Sequence, residues 1–279
     1  MGYWQDKVVV ITGGSAGFGR SLAASYAASG ANVVIAARGQ QRLDATAEAL
    51  PGRVSPVVTD VTDDASVNQL VKTVVDEHGT IDAWVNAAGR SSRGWATSTS
   101  PAEFAELLEL NFLALVRCCR AALPVLKKSA GHLVNIGSLA SRIAGPYLAA
   151  YPASKFPVAA YSQQLRMELE SEGVHVLLVC PGPIAREGTN TRYDRQARNL
   201  PRKARLPGAG ARIKQLCPNK LARRVLLVCQ QRRPELVVPW NARVLCAIAM
   251  LFPRLGDRIL NYVTRHNEQP YEQPVTNIE

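Results

Sequence analysis

Tyr151 and Lys155, four residues apart, carry the first chemistry legible in this chain. On a helix that spacing puts both side chains on one face, side by side. Free tyrosine titrates near ~10, and a fixed ammonium beside it stabilises the phenolate, drawing the hydroxyl toward the range in which it exchanges a proton near neutrality. With eight tyrosines and eight lysines in 279 residues, the spacing also arises by chance in about one such chain in four. The pair therefore needs a reaction supplied by the rest of the chain.

A second constellation binds phosphate. Thr12-Gly13-Gly14-Ser15-Ala16-Gly17-Phe18-Gly19 follows an apolar run of strand length at 7–12 and precedes an Ala-rich helical segment at 20–29, closed by Gly30. Glycines there let the backbone approach a pyrophosphate, whose charge is met by free N–H groups at the helix start. Sites for NAD place an acid at the end of the second strand to hold a ribose 2'-hydroxyl. Here that stretch reads Val34-Ile35-Ala36-Ala37-Arg38-Gly39, with Ala37 in the acid's place and Arg38 beside it. An acid would repel a 2'-phosphate, whereas arginine grips one through paired hydrogen bonds. The reading is NADP(H), with Ser15 as a second contact.

Positioning these groups falls to a chain that alternates strand and helix. Strands are expected at 7–12, 32–36, 54–59, 81–86, 131–138, 174–180 and 236–238. Between them the pattern predicts helices at 20–29, 40–50, 63–78, 151–172 and 218–231. One further long helix is opened by Ser100-Pro101-Ala102-Glu103 and runs through Asn111 to about Leu126. Val67, Leu70, Val71, Val74 and Val75 form the inner face of the third helix. Such alternation implies an α/β fold with a parallel sheet.

Together these residues resemble the short-chain dehydrogenase/reductase family over about residues 5–240. Its motifs stand in order: the turn at 12–19, Asp60-Val61, Asn86-Ala87-Ala88-Gly89, Asn111, Ser138, Tyr151-Pro152-Ala153-Ser154-Lys155 and Pro181-Gly182. The resemblance implies one doubly wound Rossmann-type domain over 1–279, strand order 3-2-1-4-5-6-7, with a basic substrate-lid segment at 186–217 and a C-terminal extension at 240–279. It implies that Gly13, Ser15, Gly17, Phe18, Gly19 and Arg38 hold the cofactor, with Asp60 accepting from the adenine amino group and Val61 adding a backbone contact. Asn86 would brace the sheet, Ala88 and Gly89 would line the ribose side, and Pro181, Gly182 and Ile184 would complete the cofactor site. Ser138 would hydrogen-bond the substrate oxygen, where charge develops. Tyr151 would give or take its proton, Lys155 would bind the nicotinamide ribose and lower the Tyr151 pKa, and Asn111 would hold the water that feeds protons to Lys155.

The function so implied is an NADP(H)-dependent interconversion of a carbonyl and a secondary alcohol, with a lipophilic ketone as substrate. Alternatives are a 3-oxoacyl thioester reductase of lipid synthesis and, from another class, a non-catalytic cofactor-binding regulatory or scaffold protein. Three departures from the family pattern bear on this. Arg186 stands where the family often has a Thr that binds the nicotinamide amide, Pro157 falls two residues after Lys155, and Ala16 replaces a basic residue common in NADP-type members.

Charge is unevenly placed. Residues 1–185 hold fifteen basic and fifteen acidic side chains, and 186–279 hold eighteen and seven, which is the whole net charge of +11. Arg192, Arg195, Arg198, Arg202, Lys203, Arg205, Arg212 and Lys214 crowd the lid segment. A solvated face is one reading, an acidic carrier protein or an anionic membrane surface another, and nucleic acid the least favoured, since no binding module accompanies the charge. An apolar run at 244–252, bounded by Arg243 and Arg254 and broken by Pro253, is too short to span a bilayer. Six cysteines without a C-x-x-C pair read as reduced, mostly buried thiols, and four scattered histidines predict no metal site. No signal peptide and no myristoylation pattern is evident, so a cytoplasmic protein, peripheral to a membrane at most, is expected. The resemblance implies a homodimer or homotetramer.

Overall fold

The apolar runs lie side by side as strands. In the computed structural model, which describes residues 2–185, 193–211 and 213–264, β1 (Val8–Thr12), β2 (Asn32–Ala37), β3 (Arg53–Val58), β4 (Ala83–Asn86), β5 (His132–Ile136), β6 (His175–Pro181) and β7 (Glu235–Val238) form one sheet. Every pairing is parallel and the order is β3-β2-β1-β4-β5-β6-β7. This is the doubly wound Rossmann-type order expected from the sequence. The central strands are apolar throughout because helices cover both faces, so successive residues point into two different cores. Val8 and Val10 of β1 face one core, and Val9 and Ile11 face the other.

The first core is closed by α3 (Asp64–His78), α5 (Ala114–Ser129) and α6 (Tyr151–Glu168), the second by α1 (Gly17–Ala28), α2 (Gln40–Ala49) and α7 (Pro218–Gln230). Helix boundaries follow local chemistry. The Asp63 carboxylate caps α3 by accepting from the N–H groups of Ala65 and Ser66, and Gly79, at φ 76°, ends it. Ser100 and Glu103 form a reciprocal capping box at α4 (Pro101–Leu108).

Several expected boundaries shift. The first helix begins at Gly17 rather than residue 20, so the turn's last glycines are already helical. The fourth strand begins at Ala83, two residues late, and just before it the Asp82 carboxylate accepts from the Val8 N–H (2.8 Å) and from Lys7 (3.2 Å). The fifth strand ends at Ile136, leaving Ser138 outside the ladder, and α6 ends at Glu168, four residues early. Pro157 is carried inside α6, in its second turn, where it removes the donor that would meet the Ala153 carbonyl. The expected single helix through Asn111 is instead α4, a π-helical turn at Glu109–Leu113, and α5. Past the sheet, α8 (Asn241–Leu251) and α9 (Pro253–Thr264) form a helical hairpin broken at Pro253. A Cβ on Gly256 would stand 2.5 Å from the Ala249 Cα, so the close approach of the two helices requires glycine there.

Candidate active site

Parallel register brings the carboxyl ends of the strands to one edge, the edge where open α/β sheets bind ligands. Thr12, Ala36 and Asn86 are register partners, as are Asn86 and Asn135, so the segments following β1, β2, β4 and β5 leave the sheet together.

The turn after β1 is tightened by its glycines. Gly13 has φ 69°, and a Cβ there would lie 2.8 Å from the Ala88 Cα; a Cβ on Gly19 would meet the Gly13 carbonyl oxygen at 2.2 Å. Gly17, at φ 52°, would project its Cβ into open space. No side chain caps the start of α1, where Ala16 is the N-cap residue, and the first turn carries no acid. Uncapped N–H groups on an acid-free helix start suit a pyrophosphate. Ser15 and Phe18 are half-buried on the same turn.

Arg38 is exposed just past β2. Asp60, past β3, accepts from the Thr62 N–H (2.9 Å) and hydroxyl (2.7 Å). Those bonds, with a smaller contribution from Arg38, hold its carboxyl below the usual range. Thr12, Val61, Ala88, Leu110 and Leu115 border one apolar recess nearby. The Asn86 amide is spent within the sheet. It donates to Asn135 Oδ1 (2.9 Å) and Cys119 Sγ (3.3 Å) and accepts from Trp84 Nε1 (2.8 Å), so its side chain braces β4 rather than reaching outward.

Asn111 lies on the π-helical turn and is 1% exposed. Its Oδ1 accepts from the Arg90 N–H (2.9 Å), and its Nδ2 donates to the Arg90 carbonyl (2.8 Å) and to Ser154 Oγ (2.9 Å). Ser154 in turn donates to the Tyr151 carbonyl (2.8 Å). The amide therefore links the loop after β4 to the first turn of α6. Any water held by Asn111 must use its backbone carbonyl or the second lone pair of Oδ1.

Lys155 is buried, and its Nζ donates to the Ile136 carbonyl at the end of β5 (2.9 Å). Burial lowers its pKa from the ordinary lysine value to about 8, with Cys180 opposing weakly. A Cβ on Gly89 would lie 3.6 Å from Nζ and 2.7 Å from Asn111 Oδ1, so the glycine leaves room for that cluster. Tyr151, half-buried, opens α6 with its N–H on the Leu148 carbonyl (3.0 Å). Ser138 sits two residues past β5, and its Oγ accepts from the Ala140 N–H (3.1 Å). That bond uses a lone pair and leaves the hydroxyl hydrogen to donate. Beyond β6, Gly182 donates to the Val238 carbonyl (2.7 Å) and Ile184 bridges to Leu216. Arg186, Arg192 and Arg212 lie outside the described residues.

Two groupings escaped the sequence reading. His132, His175 and Cys229 come together at the opposite, amino-terminal edge of the sheet, their ligand atoms within 4.8 Å of one another. The imidazole nitrogens are already engaged: His132 with Tyr3 (2.6 Å) and His175 (2.9 Å), His175 also with the Arg233 carbonyl (2.8 Å). The other grouping is Arg93 with 193–206, where a buried arginine meets a basic segment. Neither carries a local sequence signal, since the partners lie 43 or more residues apart.

A family model described as short chain dehydrogenase matches residues 7–197. Dehydrogenase/reductase SDR family member 7B of Danio rerio is 35% identical over 190 residues, 64% of this chain and 62% of that protein, so the match spans less than two thirds of the relative. The uncharacterized oxidoreductase YxnA of Bacillus subtilis is 30% identical over 278 residues, 95% of this chain and 75% of that protein. A solved short-chain dehydrogenase from Streptomyces avermitilis superposes with a TM-score of 0.77 at 27% identity, covering 93% of this chain and 98% of that one.

Proposed function

The chain belongs to the short-chain dehydrogenase/reductase family, and we propose that it is an NAD(P)-linked oxidoreductase acting on CH–OH and C=O groups, specifically an NADP(H)-dependent reductase of a lipophilic ketone. The observation that carries the chemistry is the buried Lys155 ammonium, one helical turn from Tyr151 and against the end of β5. Bound along the carboxyl edge, the nicotinamide nucleotide supplies or accepts the hydride at its C4. In reduction Tyr151 would give its proton to the carbonyl oxygen, which becomes the hydroxyl of the secondary alcohol. Ser138 donates to the oxygen as charge develops on it. Lys155 holds the ribose and stabilises the tyrosinate left behind. The turn residues Gly13, Ser15, Gly17, Phe18 and Gly19 would hold the pyrophosphate, Asp60 and Val61 the adenine, and Ala88, Gly89, Pro181, Gly182 and Ile184 the ribose and nicotinamide.

Exposed Arg38 in the place of an acid supports the 2'-phosphate. Wild type is expected to bind NADPH more tightly than NADH, and Arg38→Asp to reverse the order; equal affinities in the wild type would remove the claim. NADPH oxidation against ketones, aldehydes and 3-oxoacyl thioesters tests the reaction, with Tyr151→Phe expected to lose at least about a hundredfold in turnover. Unchanged turnover in that variant refutes the mechanism, and activity confined to thioesters replaces the ketone reading.

The α8–α9 hairpin supports a peripheral contact with an anionic membrane surface. No helix among the described residues is long and apolar enough to cross a membrane. The hairpin nevertheless exposes Met250, Leu251 and Phe252 at its tip, by 68%, 73% and 61%, with Arg254 next but one along the chain and Arg243 and Arg258 elsewhere on its two helices. Sedimentation with anionic vesicles at low salt is the test; absence of binding there discards the contact. A homodimer or homotetramer completes the reading, checked by sedimentation velocity.

A further inference from the structure

The loop after β4 is stitched on both sides. Toward the catalytic helix, Ser92 Oγ donates to the Leu148 carbonyl (3.1 Å), the Gly94 N–H donates to the Tyr147 carbonyl (3.2 Å), and the Ala149 N–H donates to the Gly94 carbonyl (3.1 Å). Those contacts end two residues before Tyr151. Toward the lid, Ser91 and Tyr193 share a hydrogen bond between hydroxyls, and the Arg93 N–H donates to Gln196 Oε1 (3.2 Å). The Arg93 side chain then crosses between them. Its Nε donates to the Ala204 carbonyl (2.7 Å), one terminal nitrogen donates to the Leu206 carbonyl (3.1 Å) and the other to the Ser92 carbonyl (2.8 Å). The guanidinium carbon lies 3.9 Å from the centroid of the Tyr193 ring.

Arg93 is only 6% exposed. Burying a guanidinium is costly unless its N–H groups are met, and its planar fork can serve two carbonyls at once, which an ammonium does less well. The segment it holds is itself basic, with Arg195, Arg198, Arg202, Lys203 and Arg205 and the single acid Asp194 between 193 and 206. Contact through carbonyls and an aromatic face lets a cation fasten a cationic segment. Beneath the contact, Tyr193, Ala197, Leu200 and Ala204 form a small apolar cluster of their own, packed on Trp95 and Tyr147.

We propose that Arg93 is a positioning residue, the clasp that fixes the 193–206 segment to the loops flanking Tyr151 and so sets the substrate entrance. The role in substrate binding rests on the reductase reading above. The clasp itself does not.

Limited tryptic digestion, mapped by mass spectrometry, reads the clasp without any activity. Arg93→Met is expected to speed cleavage after Arg195, Arg198, Arg202, Lys203 and Arg205 by about tenfold or more, as the local opening equilibrium shifts. Arg93→Lys, which keeps charge and length but not the fork, is expected to fall between. Cleavage after Arg232, in the exposed turn between α7 and β7, serves as the control and stays at the wild-type rate. Equal rates in wild type and variant at the five lid sites overturn the clasp, and so does an equal acceleration at Arg232, which would mean general loosening. Should Arg93→Met not fold, Arg93→Lys and Gln196→Ala carry the same comparison, and wild-type lid rates in both overturn it. With a substrate found by the panel above, KM for Arg93→Lys is expected to rise about tenfold with kcat within about threefold; a loss of kcat at unchanged KM overturns the entrance role. Failure of the panel with altered lid cleavage would sink the reductase reading and leave the clasp standing.

Discussion

Lys155 holds its charge where charge is expensive. Its Nζ has the Ile136 carbonyl at 2.9 Å, and burial brings the pKa from the ordinary lysine value of 10.5 down to about 8. Between those two values the unfolded chain binds the proton that the folded chain releases, so stability contributed at this site rises with pH from about 8 to 10.5. At pH 7 the folded protein bears the full cost of the cation. Lys155→Met is therefore expected to unfold at the same or a higher temperature at pH 7, while losing at least about a hundredfold in turnover. The wild-type kcat/KM should decline as pH rises through about 8, where the ammonium is lost. A clear drop in unfolding temperature, or an alkaline limb that persists in the variant, would contradict this account. The Tyr151 to Lys155 spacing is visible in the sequence, and the glycine turn and the family motifs around it give the pair a reaction. The cost of the cation was not legible, because it arises from burial of Nζ in the folded chain, where the Ile136 carbonyl is its partner.

At the scale of elements, the informative departure is the π-helical turn between α4 and α5. Apolar periodicity predicted one helix, and periodicity is insensitive to a single wide turn. Here the wide turn carries Asn111, whose amide reaches the Arg90 backbone at 2.9 and 2.8 Å and Ser154 at 2.9 Å. Asn111→Ala leaves the Arg90 N–H and carbonyl without those partners and should cost about 2 to 4 kcal/mol. Urea unfolding measures the loss, and a change below about 0.5 kcal/mol would mean that water replaces the amide freely. The same substitution unties the loop after β4 from the first turn of α6, so turnover should fall with stability.

Across the whole molecule, a hydrogen-bonded chain closes the edge of the sheet opposite the site. His175 Nε2 meets the Arg233 carbonyl (2.8 Å), which can only accept, so that nitrogen carries the proton and Nδ1 accepts. His132 Nδ1–H then donates to His175 Nδ1 (2.9 Å), and the Tyr3 hydroxyl donates to His132 Nε2 (2.6 Å). Both imidazoles are neutral in this arrangement. Burial, the facing imidazole, Arg232 and Lys7 lower His132 to about 3, and burial with Arg232 lowers His175 to about 4. Folded values below the ordinary one mean that the unfolded chain takes up protons first, so stability is complete above about 6.5 and falls as the pH drops toward about 4. Between pH 6.5 and 5.5, before most carboxylates titrate, the slope should approach about 1.4 kcal/mol per pH unit for each histidine. Urea unfolding across that window should show the decline in the wild type and a flatter profile in His132→Phe. A flat wild-type profile would refute the neutral state assigned to the two imidazoles.

What the sequence by itself determined is whatever repeats locally. Apolar runs of strand length, the glycine turn, the cap at Ser100 and the Tyr151 to Lys155 spacing are written in adjacent residues, and alternation of strand and helix then leaves one sheet edge for the site. What only the tertiary structure decided are the meetings of distant residues: Arg93 with 204 and 206, Asn111 with Arg90 and Ser154, His132 with His175, and the packing of Gly256 against Ala249. Such contacts leave no periodic trace, because hydrogen bonding and close packing depend on where the backbone returns, and that is set jointly by all seven strands.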